Sequence, residues 1–338
     1  LESLRDTGTT ERAGERAARR LSDVHALLAM DMAWVDAELH RATQEGVRPA
    51  TQAAAHLLEA GGKRVRPLTV LLAAACFGDV PPVARELAVV AELVHLATLL
   101  HDDVVDDGQE RRGRETARRV WGNAVSVLAG DLLLTHALER TSGTALPEAL
   151  SDLFATLRRL VDGEVVQLRG RSRLDVQEST YFRIVEDKTA SLFAWAGRAG
   201  ARAARAPAPA VEALGRFGMH LGVAFQLVDD VLDYSGDAAV TGKTLFADLE
   251  EGKMTLPLLR ALEARPALEA DAARAREGDA AAAARLAAAV VDTRACDSVR
   301  DLARSETQKA VDALAFVPAT RPRDLLAGVA SDLVARLA

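Results

Sequence analysis

Two short aspartate clusters contain the residues whose types and spacing point most directly to chemistry. The first cluster is Asp102, Asp103 and Asp106, and the second is Asp229, Asp230 and Asp233. On a helix, residues three or four positions apart have neighbouring side chains, so Asp102 and Asp106 lie on one face, and Asp229 and Asp230 both neighbour Asp233. Carboxylates held so close repel one another unless cations lie among them. Oxygen ligands favour hard cations, and Mg²⁺ usually shares its coordination shell with phosphate oxygens. We therefore predict two carboxylate sets that bind Mg²⁺ and, with it, a polyanionic substrate.

An acidic helix end exposed to water would explain either cluster taken alone, because short motif matches carry a false-positive risk. The pair is more informative. Residues 83–107 and 208–235 each read as a long, mostly apolar helix that turns acidic near one end. Gln226 lies on the same helical stripe as the second cluster. Two such helices could face each other across a bundle and hold one polyanion through shared metal ions.

Basic residues at turns and helix starts supply complementary charge. The glycine-rich turn at residues 61–67, GGKRVRP, places three cations before a helix, an arrangement that suits phosphate binding. Further candidates are Arg111, Arg112, Lys188, Thr189 and Lys243. His95 lies seven residues before Asp102 on a similar helix face, and this register leaves structural and ligand roles equally open. Fixed cations and metals together would stabilise a departing diphosphate.

The composition favours an all-α protein without nucleic-acid partners. Hydrophobic residues make up 49% of the 338 residues, which excludes a disordered chain, while aromatic residues make up only 4%. Ala, Leu, Arg and Glu favour helix over strand. The net charge of -7 argues against nucleic acid. Cys76 and Cys296 form no disulfide framework, which fits the cytoplasm, and no apolar run is long enough to predict a transmembrane segment.

Helical periodicity, interrupted by glycine and proline, predicts a single-domain bundle of ten or more helices around a central cavity. Residues 1–20 are expected to be a flexible leader, and residues 21–338 the domain. The predicted helices span residues 21–42, 49–60, 66–77, 83–107, 117–142, 147–169, 177–205 and 208–235. A loop is expected at 236–253 and further helices at 254–338, with an exposed alanine-rich stretch at 267–290.

These motifs together resemble one family, the trans-isoprenyl diphosphate synthases or polyprenyl synthetases, and within it the long-chain, octaprenyl-type members. The matching blocks occur in family order: GGKRVRP (61–67), ELVHLATLLHDDVVDD (92–107), RRG (111–113), GEVVQL (163–168), DKTASLF (187–193), FQLVDDVLDYSGD (225–237) and GK…DLEEGKMTLP (242–257). The resemblance extends over roughly residues 20–335. The resemblance implies one all-α domain, a homodimer and three Mg²⁺ ions in each active site.

The resemblance also implies a role for each candidate residue. Asp102 and Asp106 would bind two Mg²⁺ ions and Asp229 the third, while Asp103, Asp230 and Asp233 would orient metal-bound water. Arg111, Lys188 and Lys243 would contact the allylic diphosphate. Lys63, Arg66, His95 and Arg112 would bind isopentenyl diphosphate. Thr189 and Gln226 would lie near the developing carbocation.

The implied reaction is the head-to-tail, trans condensation of isopentenyl diphosphate with an allylic diphosphate, such as farnesyl or geranylgeranyl diphosphate. Ala97 and Thr98 lie about 6–8 Å below Asp102 on the helix, at 1.5 Å per residue. An aromatic residue there closes the product tunnel in short-chain members of the family. By that analogy the small residues here predict a product of about C30 to C50, such as a quinone side chain.

Three alternatives remain open at this point. A short-chain synthase would have another bulky residue as the tunnel floor. A class I terpene cyclase shares the fold and the first motif, but it usually has an Asn/Ser/Glu pattern in place of the second aspartate motif. A non-catalytic subunit of a heteromeric synthase generally loses aspartates or basic residues, which this chain retains.

Overall fold

Helices form nearly all of the regular structure in this computed structural model, which describes residues 2–172, 177–235 and 253–335. The first part contains α1 (Glu2–Ala42), α2 (Ala50–Glu59), α3 (Val65–Ala75), α4 (Pro82–Val105), β1 (Glu110–Arg111), β2 (Arg114–Glu115), α5 (Ala117–Trp121), α6 (Asn123–Gly143) and α7 (Pro147–Ser172). The middle part contains α8 (Glu178–Ile184), a π-helical segment (Val185–Ala190), α9 (Ser191–Ala203) and α10 (Ala208–Ser235). The last part contains α11 (Leu256–Ala264), α12 (Glu269–Arg276), α13 (Ala280–Asp292), α14 (Ala295–Ala313) and α15 (Arg321–Ala335), with short 3₁₀ turns at Pro266–Leu268 and Leu314–Phe316.

Helix α4 lies at the centre of the bundle, as its nearly continuous apolar sequence predicts. It packs against α1, α3, α6 and α9. Its residues from Leu87 to Val94 are almost completely buried, and Leu96 and Leu100 are fully buried. Pro82 starts the helix at a position where a missing N–H breaks no helical hydrogen bond. The last turn of α4, where the first aspartate cluster begins, is therefore held by a rigid core.

Small residues let α9 and α10 approach closely. A Cβ atom added to Gly197 would lie 2.2 Å from the backbone oxygen of Leu214, and one added to Gly218 would lie 2.2 Å from that of Phe193. Contacts this short exclude any larger side chain, so the spacing of these two helices depends on glycine. Because α10 carries the second aspartate cluster, this packing fixes its position relative to the core.

The predicted all-α bundle of ten or more helices is confirmed, but several boundaries differ. Helix α1 begins at Glu2, where we expected a leader without helix up to residue 20. The division of the chain into a leader and a domain at that point stays a prediction. The predicted helix 117–142 is two helices, because Gly122 adopts φ 86°, which a continuous helix cannot contain. The residues between α4 and α5 contain a two-residue hairpin that we did not predict.

The alanine-rich stretch 267–290 was expected to be exposed, and this holds for only part of it, because one face is buried. Ala272, Ala282, Leu286 and Val290 are at most 1% exposed and belong to one apolar cluster with residues of α11. Alanine is small enough to pack two helices closely, so a sequence of low complexity still builds a core.

Within the described ranges, no helix is long and apolar enough to cross a membrane.

Candidate active site

The first aspartate cluster lies at the carboxyl end of α4. Asp103 is only 2% exposed, and its Oδ1 accepts a hydrogen bond from Nε of Arg111 at 2.8 Å and forms an ion pair with Nη2 of the same residue at 2.8 Å. Its Oδ2 is buried and has no hydrogen-bond partner. Burial raises the pKa of Asp103, while the nearby Arg111 opposes the rise. A buried carboxylate oxygen left without a partner is costly and is suited to receive a hydrogen bond from metal-bound water.

Asp102, in the last turn of the same helix, faces a lysine from another part of the chain. Nζ of Lys188 lies 3.5 Å from Oδ2 of Asp102 and also pairs with the carboxylate of Glu164 on α7. Burial raises the pKa of Asp102 to about 6, and the charges of Glu164 and Asp106 add to this rise while Lys188 opposes it. The site therefore concentrates negative charge in a place that water reaches poorly, as expected where cations bind.

The second cluster lies near the end of α10 and is tied to neighbouring helices by hydrogen bonds. Asp230 is 1% exposed and accepts hydrogen bonds from the Tyr181 hydroxyl at 2.6 Å and from Nε2 of Gln226 at 2.8 Å. Oε1 of Gln226 in turn accepts a hydrogen bond from the Thr189 hydroxyl at 3.1 Å. Asp233 is also buried, while Asp229 is partly exposed. The predicted neighbours Thr189, Gln226 and Asp230 thus form one connected network.

The π-helical segment brings the two clusters to one site. Lys188 reaches Asp102 of the first cluster, and the adjacent Thr189 reaches Gln226 beside the second. Two glycines permit this geometry: a Cβ added to Gly163 of α7 would lie 2.8 Å from the Lys188 backbone nitrogen, and one on Gly222 of α10 would lie 2.5 Å from Ala190 Cα. Short π-helical stretches frequently occur at functional sites.

A group of arginines surrounds His95, which lies about two turns before Asp102 on α4. Arg64 donates a hydrogen bond to the buried Glu92 at 2.7 Å. The guanidinium of Arg66 stacks over the Phe193 ring at 4.6 Å, and its Nε is buried without a hydrogen-bond partner. Burial lowers the pKa of Arg66 to about 10. An unpartnered nitrogen in such a cationic group is a natural donor to an anionic ligand.

The histidine in this group is uncharged at neutral pH. Burial and the charges of Arg66, Arg112, Arg111 and Arg64, in that order, hold the pKa of His95 well below its usual value. A neutral imidazole still donates one hydrogen bond to an anion. The structure thus brings His95 together with the predicted diphosphate-binding residues Arg66 and Arg112, whereas Lys63 lies exposed at the rim.

The short hairpin places two consecutive arginines at different parts of this surface. Arg112 and Gly113 both have positive φ, 54° and 74°, and form the turn between β1 and β2. Arg111 contacts Asp103, whereas Nη1 of Arg112 lies close to Gly62, where an added Cβ would be only 2.9 Å away. The hairpin therefore connects the aspartate cluster with the glycine-rich turn.

Two remaining predictions concern the product tunnel and Lys243, which was expected to contact the allylic diphosphate together with Arg111 and Lys188. Ala97 is 2% exposed, and the hydroxyl of the partly exposed Thr98 donates to the His95 carbonyl oxygen at 2.8 Å. Both lie one turn below Asp102 on α4, so their proposed contact with the product chain stays a prediction. Lys243 lies outside the described residues.

The carboxylates present fit Mg²⁺ that is bound jointly with a substrate. In the described part of the chain, no three His, Cys, Asp or Glu side chains converge closely enough to hold a metal ion by themselves. Mg²⁺ commonly keeps several waters and is held by one or two carboxylates plus substrate phosphates, rather than by a cage of protein ligands. The all-oxygen donors and the unpartnered Oδ2 of Asp103 agree with that mode of binding.

Three residues of this site were not assigned roles from the sequence. Glu164 belongs to the quoted GEVVQL block, Tyr181 precedes the DKTASLF block, and Asp187 begins it. Asp187 accepts a hydrogen bond from Arg159 at 2.6 Å and thereby ties the π-helical segment to α7. Glu164 could have been identified from the sequence, because it is the acidic residue of the quoted GEVVQL block. No pattern indicated Tyr181, because its contact with Asp230 joins two distant helices.

Comparison with known proteins agrees with this geometry. Heptaprenyl diphosphate synthase component 2 of Geobacillus stearothermophilus is 39% identical over 92% of this chain and 97% of that protein. Octaprenyl diphosphate synthase of Escherichia coli is 35% identical over 94% of this chain and 99% of that protein. A crystal structure of a Caulobacter crescentus polyprenyl synthase, complexed with calcium and isoprenyl diphosphate, matches with a TM-score of 0.89 at 40% identity, covering 94% of this chain and 98% of that one.

The family model described as polyprenyl synthetase matches residues 48–292, which include both aspartate clusters and the cationic group around His95. Its range spans most of the chain, and the relatives are covered almost from end to end. This protein is therefore a member of the polyprenyl synthetase family and a prenyl-transferring enzyme.

Proposed function

We propose that this enzyme condenses isopentenyl diphosphate with an allylic diphosphate, in trans, to give a polyprenyl diphosphate of about C30 to C50, by analogy with its relatives. The observation that carries the proposal is the junction at the π-helical segment, where Lys188 meets Asp102 and Thr189 meets Gln226. One cation and one hydroxyl thus lie between two carboxylate sets. That arrangement suits an allylic diphosphate whose C–O bond must break.

The residues around this junction would each have a separate role when the allylic diphosphate ionises. Asp102, Asp106 and Asp229 would hold Mg²⁺, which when bound neutralises the departing diphosphate. Lys188 and Arg111, with Lys243, would contact the same diphosphate as fixed cations. The network of Thr189, Gln226 and Asp230 would present oxygen atoms toward the allylic cation. Asp103, Asp230 and Asp233 would orient the waters of the metal ions.

The cationic group around His95 would bind the second substrate. Arg66 supplies an unpartnered buried N–H, and the neutral His95 supplies a hydrogen-bond donor without adding charge. Arg112 and Lys63 would close the site from the hairpin and the glycine-rich turn. Because no described side chain stands out as a base, we propose that the departed diphosphate accepts the proton lost after condensation.

The long-chain product is supported by the relatives and by the residues below the first cluster. Names of matched proteins include octaprenyl, nonaprenyl, heptaprenyl and decaprenyl diphosphate synthases. Ala97 and Thr98 are small, so the path along α4 away from the metals is not closed by an aromatic ring at these positions. Farnesyl or geranylgeranyl diphosphate would serve as the primer.

A homodimer is supported by an apolar stripe on the surface. Phe154, Val161 and Val165, which share one face of α7 by their spacing, are 53%, 62% and 41% exposed. Contiguous exposed apolar surface often marks a protein interface. One matched protein is component 2 of a heptaprenyl diphosphate synthase, so a different subunit is the alternative occupant of the stripe. Sedimentation of the purified chain separates the two, since only a homodimer forms without a partner.

The cytoplasmic location stays a prediction.

Turnover of the purified chain tests the function directly. The protein is incubated with isopentenyl and farnesyl diphosphates, with Mg²⁺ or with EDTA, and diphosphate release is measured. We expect release only when both substrates and Mg²⁺ are present, and chromatography of the dephosphorylated product gives its chain length. Release from farnesyl diphosphate alone would indicate a terpene cyclase. No release by the pure protein would indicate a subunit that needs a partner.

A further inference from the structure

Glu164 is a buried carboxylate for which the proposed reaction has no role. It lies on α7, and its side chain is 17% exposed. Both of its carboxylate oxygens are buried, and neither has a partner with hydrogen-bond geometry. Within the described residues, Glu164 forms an ion pair with Nζ of Lys188. A desolvated carboxylate of this kind is stabilised almost entirely by its cation.

Lys188 interacts with two carboxylates, one of which is a proposed metal ligand and one of which is not. Nζ of Lys188 pairs closely with Glu164 and lies 3.5 Å from Oδ2 of Asp102, the proposed metal ligand. A lysine that paired fully with Asp102 would occupy the oxygen needed by Mg²⁺. Glu164 therefore competes with Asp102 for the ammonium group and draws it away from the metal ligand.

The backbone around Glu164 fixes this arrangement. The preceding residue, Gly163, allows α7 to approach the Lys188 backbone nitrogen so closely that a Cβ there would lie 2.8 Å away. Arg159, one turn earlier on α7, binds Asp187 at 2.6 Å, next to Lys188 in sequence. These two contacts, both within the five residues before Glu164, hold α7 against the π-helical segment, and the carboxylate keeps one position relative to the lysine.

We propose that Glu164 is a positioning residue that holds Lys188 off Asp102, so that Asp102 is free for Mg²⁺ while the lysine stays at the allylic diphosphate. This inference rests on the proposed function of Asp102 and Lys188. Glu164 acts through Lys188 and binds neither metal nor substrate. Its removal would leave Asp102 as the remaining carboxylate partner of the lysine, and Mg²⁺ would have to displace the ammonium group.

The test is a double-mutant cycle read out by binding. Mg²⁺ is titrated into the full-length protein in the presence of inorganic diphosphate, and the Mg²⁺ concentration that gives half of the thermal stabilisation is recorded. Glu164→Gln is expected to raise this concentration about five- to tenfold, within the range of coupling between contacting residues. In a Lys188→Ala background the same substitution is expected to change it less than about twofold, because the competing cation is gone. Asp162 is an exposed carboxylate on the same helix, so Asp162→Asn is the matched control and should leave this Mg²⁺ concentration unchanged.

The alternative results separate the possible explanations. If Glu164→Gln raised the Mg²⁺ requirement equally in both backgrounds, Glu164 would act only through its own charge, and the inference would be overturned. An unchanged requirement in Glu164→Gln would overturn it as well, while binding by the wild-type protein would leave the proposed function standing. No stabilisation of the wild-type protein would reject the proposed function itself. Glu164→Asp, which keeps the charge on a shorter side chain, is expected to give an intermediate shift and replaces the glutamine variant if that one does not fold.

Discussion

Asp102→Asn should make the metal-free protein more stable while it removes activity. Burial raises the pKa of Asp102 from 3.8 to about 6, so the folded state disfavours the charged carboxylate. A difference of about 2 pKa units corresponds to about 3 kcal/mol of unfolding free energy at 1.36 kcal/mol per unit. The side chain is 19% exposed, so solvent screening reduces this value only moderately. Asparagine has nearly the same shape and no charge, and we expect a gain of about 1–3 kcal/mol at pH 7.5.

The direction of the pH dependence follows from the sign of this shift. Because the pKa is raised on folding, the destabilisation is complete above about pH 6 and disappears as the pH falls through 6 toward 3.8. At pH 4.5 about 1 kcal/mol of it should remain. The difference between the variant and the wild-type protein is therefore expected to shrink by about two thirds between pH 7.5 and pH 4.5.

Urea denaturation in EDTA, followed by circular dichroism at both pH values, measures these differences. Asp162→Asn makes the same chemical change at an exposed position of α7 and should leave the unfolding midpoint unchanged. If Asp102→Asn unfolded at the same or a lower urea concentration than the wild-type protein at pH 7.5, the carboxylate would not be strained by burial. A gain that stayed constant with pH would equally contradict the reasoning, since it would not arise from ionisation.

Two further predictions address the tunnel and the second cluster. Ala97→Tyr should shift the main product to shorter chains, seen by chromatography after dephosphorylation, and an unchanged length distribution would remove Ala97 from the tunnel wall. Tyr181→Phe deletes the donor that lies 2.6 Å from the buried Asp230 and should lower the free energy of unfolding by about 1–3 kcal/mol. Unaltered stability of that variant would mean that another donor satisfies Asp230.

The chemistry at each cluster could be predicted because it depends on local spacing. Asp102 and Asp106 are one turn apart on any helix, and Gln226 shares a stripe with Asp230 for the same reason. The hydrogen bond between Gln226 and Asp230 follows directly from their separation of four residues. Helix periodicity likewise sufficed for the all-α bundle, because long apolar helices must be buried, and strand-forming residues are too few here to supply a sheet to bury them.

Contacts between distant helices could not be predicted in this way. The hydrogen bond from Tyr181 to Asp230 joins residues 49 positions apart and depends on how α8 packs on α10. The hairpin was missed because its turn has Arg112 at positive φ, where asparagine or glycine is the usual signal. The burial of Ala282 was missed because alanine contributes little to a periodic pattern, although its small size favours close packing.

The π-helical segment also restricts how this part of the protein can change in evolution. A π turn contains one more residue than an α turn, so the helical faces before and after it are offset by roughly the 100° that one residue subtends. Single substitutions between Val185 and Ala190 leave this offset in place, whereas loss of one residue would restore a regular helix and turn Tyr181 away from α10 if α9 kept its packing. Insertions and deletions are therefore expected to be excluded here even where substitutions are tolerated. The segment sets the rotation of α8 about the helix axis relative to α9, and the active-site contacts depend on this rotation.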